Sequence, residues 1–119
     1  MKLVIESKDW PKDWCPVEHA ISHLDGKWTV LILRELFRDG NCRFRELQRR
    51  LGNLSPRTLT DRLNRLETQG LIRRVETAGY HCYVLTDRGG SLAPVLHAMI
   101  SWSIEDLSES DRNNPSAWG

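Results

Sequence analysis

The sequence has no long apolar run, few cysteines and almost no net charge, and each shortage removes a class of protein. No apolar stretch exceeds four residues, as at Val30-Leu31-Ile32-Leu33, against the roughly 20 that a bilayer span needs. The opening Met1-Lys2-Leu3-Val4-Ile5 breaks at Glu6 instead of continuing as a signal-peptide core, so a cytoplasmic protein is expected. Cys15, Cys42 and Cys82 are an odd and sparse set, unlike the even framework of a secreted disulfide scaffold, and are expected as free thiols. No paired base and nucleophile is spaced for catalysis, and Gly89-Gly90 is too little for a phosphate-cradling loop. No enzyme and no cofactor are therefore expected. The 119 residues, 39% of them apolar, suffice for one core and leave no room for a second. One domain is expected over residues 15–107, between an N-terminal arm (1–14) and a C-terminal tail (108–119) rich in Ser, Asn and Asp.

The formal net charge of +1 hides a segregation. Residues 1–37 stand at −1 and residues 75–119 at −4, while residues 38–74 stand at +6, with ten arginines against four acids and no lysine. The guanidinium fork suits phosphates and guanine edges better than a lysine point charge does. The bland alternative is a solvated face balanced by pairs such as Asp61–Arg65.

Hydrophobic spacing lays out the elements. Cys15-Pro16-Val17-Glu18 opens a helix reaching about Leu24, with proline in its first turn and an acid near the positive dipole end. A broadly apolar helix runs from Lys27 to Phe37 and stops at Asp39-Gly40. Phe44, Leu47 and Leu51 mark a short amphipathic helix over Arg43–Leu51, followed by a turn at Gly52-Asn53-Leu54. Ser55-Pro56 caps the next helix, lined by Leu59, Leu63 and Leu66 and ending at Gln69-Gly70. This is the form of a helix-turn-helix. Residues 71–76 and 81–86, bent near Ala78-Gly79, read as a β-hairpin, which makes the whole a mainly α winged helix-turn-helix. A last helix from about Gly90 to Leu107 carries Leu92, Val95, Leu96, Met99, Ile100, Ser103, Ile104 and Leu107 on an apolar stripe, more than so small a domain needs for itself.

With the three leucines of the capped helix facing inward, Arg57, Thr60, Asp61, Asn64, Arg65 and Thr68 face outward. Arginine can read guanine, asparagine adenine and threonine a thymine methyl, while Asp61 can accept from cytosine or hold Arg57 or Arg65. Ser55, Thr58 and the free N–H groups of the helix start, with Arg43, Arg45, Arg49 and Arg50 before it, are placed for phosphates. Arg73 and Arg74 put positive charge at the root of the wing. Double-stranded DNA is the expected partner; a docking module for another protein is the competing class.

These residues resemble the HxlR-type winged-helix transcriptional regulators of bacteria. The resemblance covers about Cys15 to Trp102. It rests on Cys15-Pro16-Val17-Glu18, Gly26-Lys27-Trp28-Thr29, Arg43-Phe44-Arg45-Glu46-Leu47, Ser55-Pro56-Arg57-Thr58-Leu59-Thr60, Gly70-Leu71-Ile72 and Tyr83-Val84-Leu85-Thr86 with Gly89. It implies a repressor or activator, read here as a repressor, that binds an inverted-repeat operator as a homodimer. The dimer would join through the first and last helices, with Val17, Leu92, Val95, Leu96, Met99, Ile100, Ser103 and Ile104 at the interface. The chain departs from the family in a short separation between the wing strands, Thr77-Ala78-Gly79-Tyr80, which leaves open whether the wing reaches DNA, and in His19 where arginine is expected.

The resemblance also implies a redox or electrophile sensor at Cys15. A thiol beside the positive end of a helix dipole gains thiolate character and reactivity, an effect that nearby Glu18 opposes. The alternative is a small packing residue. Cys15, His19 and His23 at i, i+4 and i+8 raise metal sensing as a rival, but about 12 Å of helix rise separates the ends, too far for one ion. No metal is expected at this site. A small-molecule effector, with Trp14, Trp28 and Trp102 as candidate pocket walls, is the other candidate signal.

Overall fold

The structure, a computed structural model, describes residues 10–107. Residues 1–9 of the expected arm (1–14) and the expected tail at 108–119 lie outside the described residues.

Helix α1 (Pro16–His23) starts where expected, because Cys15 is extended and proline gives up no hydrogen bond at the first helical position. Helix α2 (Lys27–Asp39) is the centre of the molecule, with Ile32, Leu33 and Leu36 fully buried. Helix α3 (Phe44–Arg50) places Leu47 in the same core, and Glu46 accepts a hydrogen bond from the Arg43 backbone N–H at 3.3 Å. The following turn needs left-handed backbone at Gly52 (φ 76°) and Asn53 (φ 58°), which glycine adopts freely and asparagine tolerates. Gln48 closes the turn by donating through Nε2 to the Leu54 carbonyl at 3.0 Å. Helix α4 (Pro56–Thr68) is capped by Ser55, whose Oγ accepts from the Thr58 N–H at 3.2 Å. Leu59, Leu63 and Leu66 are buried, as their spacing requires.

The wing is the pair β2 (Ile72–Thr77) and β3 (Tyr80–Leu85), antiparallel from Ile72 opposite Leu85 to Thr77 opposite Tyr80. Only Ala78 and Gly79, both at positive φ, separate the strands, so the hairpin is tighter than the four-residue separation expected. A third strand, β1 (Asn41–Arg43), pairs with the other edge of β3, which gives the order β1-β3-β2. The expectation of a hairpin alone is corrected on this point. Three residues are too few to show an alternating pattern, and the strand forms because β3 offers an open edge beside Cys42, which is buried between the two elements.

The last helix is also corrected. It divides into α5 (Asp87–Gly90), capped by Thr86 Oγ1, and α6 (Ala93–Asp106). Pro94 has no N–H to carry a continuous helix back through Ser91. Gly89 is required for contact: a β-carbon there would fall 1.9 Å from the Leu71 carbonyl oxygen, so α5 could not seat against the start of the wing. Among the described residues no helix is long and apolar enough to cross a membrane.

Candidate nucleic-acid interface

The outer face of α4 is as the leucine spacing dictates. Arg57, Thr60, Asp61, Asn64, Arg65 and Thr68 are exposed, and Thr58 is half-buried beside its capping partner Ser55. Two of these side chains are committed locally. Thr68 Oγ1 donates to the Asn64 carbonyl at 2.9 Å. Arg65 Nη2 lies 3.4 Å from Asp25 Oδ2, on the loop between α1 and α2. The Asp61–Arg65 pair of the bland alternative is therefore not the one formed, and Asp61 is exposed with no ion pair among the described residues.

The arginines of α3 and the wing fall into two groups that their sequence positions do not separate. Arg43, Arg45 and Arg49 are exposed at the start of α3 and along it, where with Phe44, Glu46, Tyr80 and His81 they line a groove of about 570 Å³ against the wing. The Arg43 guanidinium stacks 3.8 Å above the Tyr80 ring, a cation–π contact that ties the wing tip to the start of α3. Tyr80 and His81 thus join the candidate surface, although nothing in the sequence pattern singled them out. Arg73 is exposed at the wing root, whereas Arg74 Nη2 pairs with Glu67 Oε1 at 3.6 Å and lies over the Tyr83 ring. Arg50 turns inward. It contacts Asp39, Glu46 Oε2 at 3.5 Å and the buried Glu35 Oε1 at 3.9 Å. Arg50 is accordingly a brace between α2 and α3 rather than a free phosphate ligand, and the expectation for it changes.

Polar contacts join the end of α1 to α4. Gln69 Nε2 donates to the Ser22 carbonyl at 3.1 Å. Arg88 donates to the Gln69 carbonyl through Nη1 and to His23 Nε2 through Nη2, the latter at 2.8 Å. His23 Nε2 must be the unprotonated ring nitrogen to accept, so Nδ1 carries the proton and donates to the His19 carbonyl at 2.9 Å. Both imidazole nitrogens are thus in use, and among the described residues no group of three His, Cys, Asp or Glu side chains could hold a metal.

Cys15 sits at the N-cap of α1, half-buried, next to the exposed Trp14. Cys42 and Cys82 are buried. Burial, with Glu46 and Glu35 nearby, pushes the Cys42 thiol up to about 11, so it stays protonated and unreactive at neutral pH. Of the three thiols Cys15 alone is within reach of a reagent.

At the other end of the molecule, α1 and α6 leave apolar side chains in solvent. Val17, Ile21, Val95, Met99, Ile100, Trp102 and Ile104 are all exposed, and Val17, Ile21, Val95 and Met99 share one open groove of about 480 Å³. Leu96 leaves the expected interface set, because at 8% exposure it is packed into the chain's own core. Leu92 is half-buried against the same core. Ile21 was missed, though it lies one helical turn beyond Val17, as was Trp102.

The chain matches the family model described as HxlR-like helix-turn-helix over residues 23–111. It is 46% identical over 88 residues to an HTH-type transcriptional regulator of Synechocystis, covering 71% of this chain and 64% of that protein. Among solved structures it is similar to the reduced form of the transcriptional regulator YodB from Bacillus subtilis, with TM-score 0.69, 30% identity and coverage of 80% of this chain and 96% of that one. It is likewise similar to the redox regulator HypR in its oxidised form, with TM-score 0.70, 30% identity and coverage of 79% and 99%.

Proposed function

The chain belongs to the HxlR-like helix-turn-helix family of transcription regulators, which are not enzymes, and from that premise we propose that it binds operator DNA sequence-specifically as a homodimer and represses transcription in the cytoplasm. One observation carries the reading: Arg57, Thr60 and Asn64 on α4, Arg43, Arg45 and Arg49 around the groove beside the wing, and Arg73 at the wing root are all exposed. Arg57, Thr60, Asp61 and Asn64 read base edges in the major groove. Arg43, Arg45, Arg49, Ser55 and Arg73 take phosphates and set the register. Arg65 exchanges Asp25 for DNA. The working unit is the domain over residues 15–107, and Val17, Ile21, Val95 and Met99 bury their apolar surface against a second copy, which presents two α4 helices to an inverted repeat.

The signal enters at Cys15. HypR is a redox regulator and YodB is a transcriptional regulator with a reduced form, and here Cys15, half-buried at the N-cap of α1, is the one thiol of the three that is not buried. Two-electron oxidation that joins its sulfur to a second thiol releases two protons and passes both electrons to the oxidant. The new bond displaces the start of α1, whose far end is held to α4 through Ser22, Gln69, Arg88 and Asp25. Fluorescence anisotropy on the DNA upstream of its own gene, before and after diamide, tests this. Oxidation should weaken binding by the wild type about tenfold or more and leave Cys15→Ser unchanged. Equal loss in both proteins would remove Cys15 from the switch.

A further inference from the structure

A second groove, of about 370 Å³, runs between α2 and α6 on the side of α6 away from Val95 and Met99. Its floor is apolar, built from Phe37, Leu96 and Ile100, and its rim carries Arg34, Arg38 and His97. Among the described residues no carboxylate lines it.

The charge at this rim is not cancelled locally. Arg34 Nε lies 2.9 Å from Glu35 Oε2, and Arg38 Nη1 lies 3.6 Å from Glu35 Oε1. That single carboxylate, 1% exposed, is also approached by Arg50. The remaining acids of the cluster, Asp39 and Glu46, pair with Arg50. Two guanidiniums one helical turn apart therefore share a fraction of one anion and keep their outer N–H groups for another partner. A second acceptor beside them would gain charge-assisted, fork-shaped hydrogen bonds. His97, across the groove, adds a ring N–H and has no hydrogen-bond partner among the described residues.

We propose that this groove binds a small organic monoanion with a flat apolar body, of the aromatic carboxylate class. The ring would lie on Phe37, Leu96 and Ile100, with the carboxylate between Arg34, Arg38 and His97. A volume near the lower end of the range for ligand pockets suits one ring with short substituents. Such a ligand would bridge the central helix of the winged body to α6, of which only Leu96 is buried. Occupancy would therefore set the angle of α6 against the DNA-binding half. That regulatory consequence rests on the proposed function, whereas binding itself is read on the protein alone.

The test is calorimetric and NMR titration of the full chain with benzoate, and with benzamide as its uncharged counterpart. Benzoate should bind with a dissociation constant on the order of 1 mM or tighter, shifting backbone resonances at Phe37, His97 and Ile100, and benzamide should bind about tenfold more weakly or not at all. Ala93→Leu, which fills the groove without touching the ion cluster, and Arg38→Gln should each weaken benzoate about tenfold. Because Arg38 also contacts Glu35, the Ala93 variant decides if the other is unstable. Equal binding of benzoate and benzamide, shifts confined to another surface, or unchanged benzoate affinity in Ala93→Leu would overturn the site. Absence of any binding, as expected if a second copy or residues 108–119 cover the groove, would overturn it as well. Benzoate binding by protein that ignores DNA would keep the site and remove the proposed function.

Discussion

Helices α4 and α6 are nearly equal in length, 13 and 14 residues, and they present opposite surfaces. Helix α4 buries Leu59, Leu63 and Leu66 inside its own chain and turns arginine, threonine and asparagine outward. Helix α6 buries Leu96 alone and turns Val95, Met99, Ile100 and Trp102 outward. An amphipathic helix whose apolar stripe is covered needs nothing further from its partner than polar complementarity. A helix whose apolar residues remain in water gains roughly 25 cal/mol for each Å² it can cover. The two ends of this protein thus call for different partners, a polyanion at one and an apolar surface at the other, and one domain can serve both only because its core is finished between them.

The sharpest way to break this contrast is to charge the apolar end. Met99→Asp should convert a dimer to monomers in sedimentation equilibrium and cost about 3 to 5 kcal/mol of assembly, because the carboxylate would be buried without a partner. An unchanged mass would take α6 out of the interface. Next comes the division within α4 itself. Leu63→Ala should lower unfolding stability by about 2 to 5 kcal/mol, while its neighbour Asn64→Ala should change stability by no more than about 0.5 kcal/mol. Thermal or urea unfolding reads both.

The surface of α4 should also differ from that of α3. Arg57→Ala should cost about 1 to 3 kcal/mol on the preferred site and little on other sequences, whereas Arg49→Ala should weaken all sequences about equally and lower the salt slope by about 1. Competition binding on matched and scrambled duplexes separates the two, and the reverse pattern would exchange the roles of α3 and α4. The smallest effect concerns the thiols. A thiol reagent at pH 8 should label Cys15 first, since Cys42 is buried with its thiol pushed up to about 11. The protonated Cys42 contributes stability that is intact below pH 9 and is lost as pH rises through about 11. Labelling of Cys42 ahead of Cys15, followed by mass spectrometry of peptides, would refute the assignment.

Much of this was legible in the residues, for identifiable reasons. Leucine spacing over residues 59–66 determines which side of α4 faces outward, because burial at 100° per residue leaves no freedom. The Ser55-Pro56 start and the Gly52-Asn53 turn are local chemistry and are read locally. The strand β1 was not legible, since its three residues become a strand only through the edge of β3. Nor was the fate of individual arginines. Arg49 and Arg50 are adjacent, yet one faces the groove beside the wing and the other braces Glu35, Asp39 and Glu46. That choice depends on acids brought in by α2, which spacing along α3 cannot reveal. The pairing of Arg65 with Asp25 and the stacking of Arg43 on Tyr80 are likewise products of tertiary packing.

If the cationic surface around α4 meets DNA while the apolar surface of α6 meets a second copy, salt separates the two most directly. Anisotropy on the upstream DNA should show affinity falling about a thousandfold or more between roughly 50 and 200 mM salt as six or more phosphates are neutralised, with the dimer mass unchanged over the same range. DNA affinity that does not respond to salt, or a dimer that dissociates as salt rises, would contradict the account.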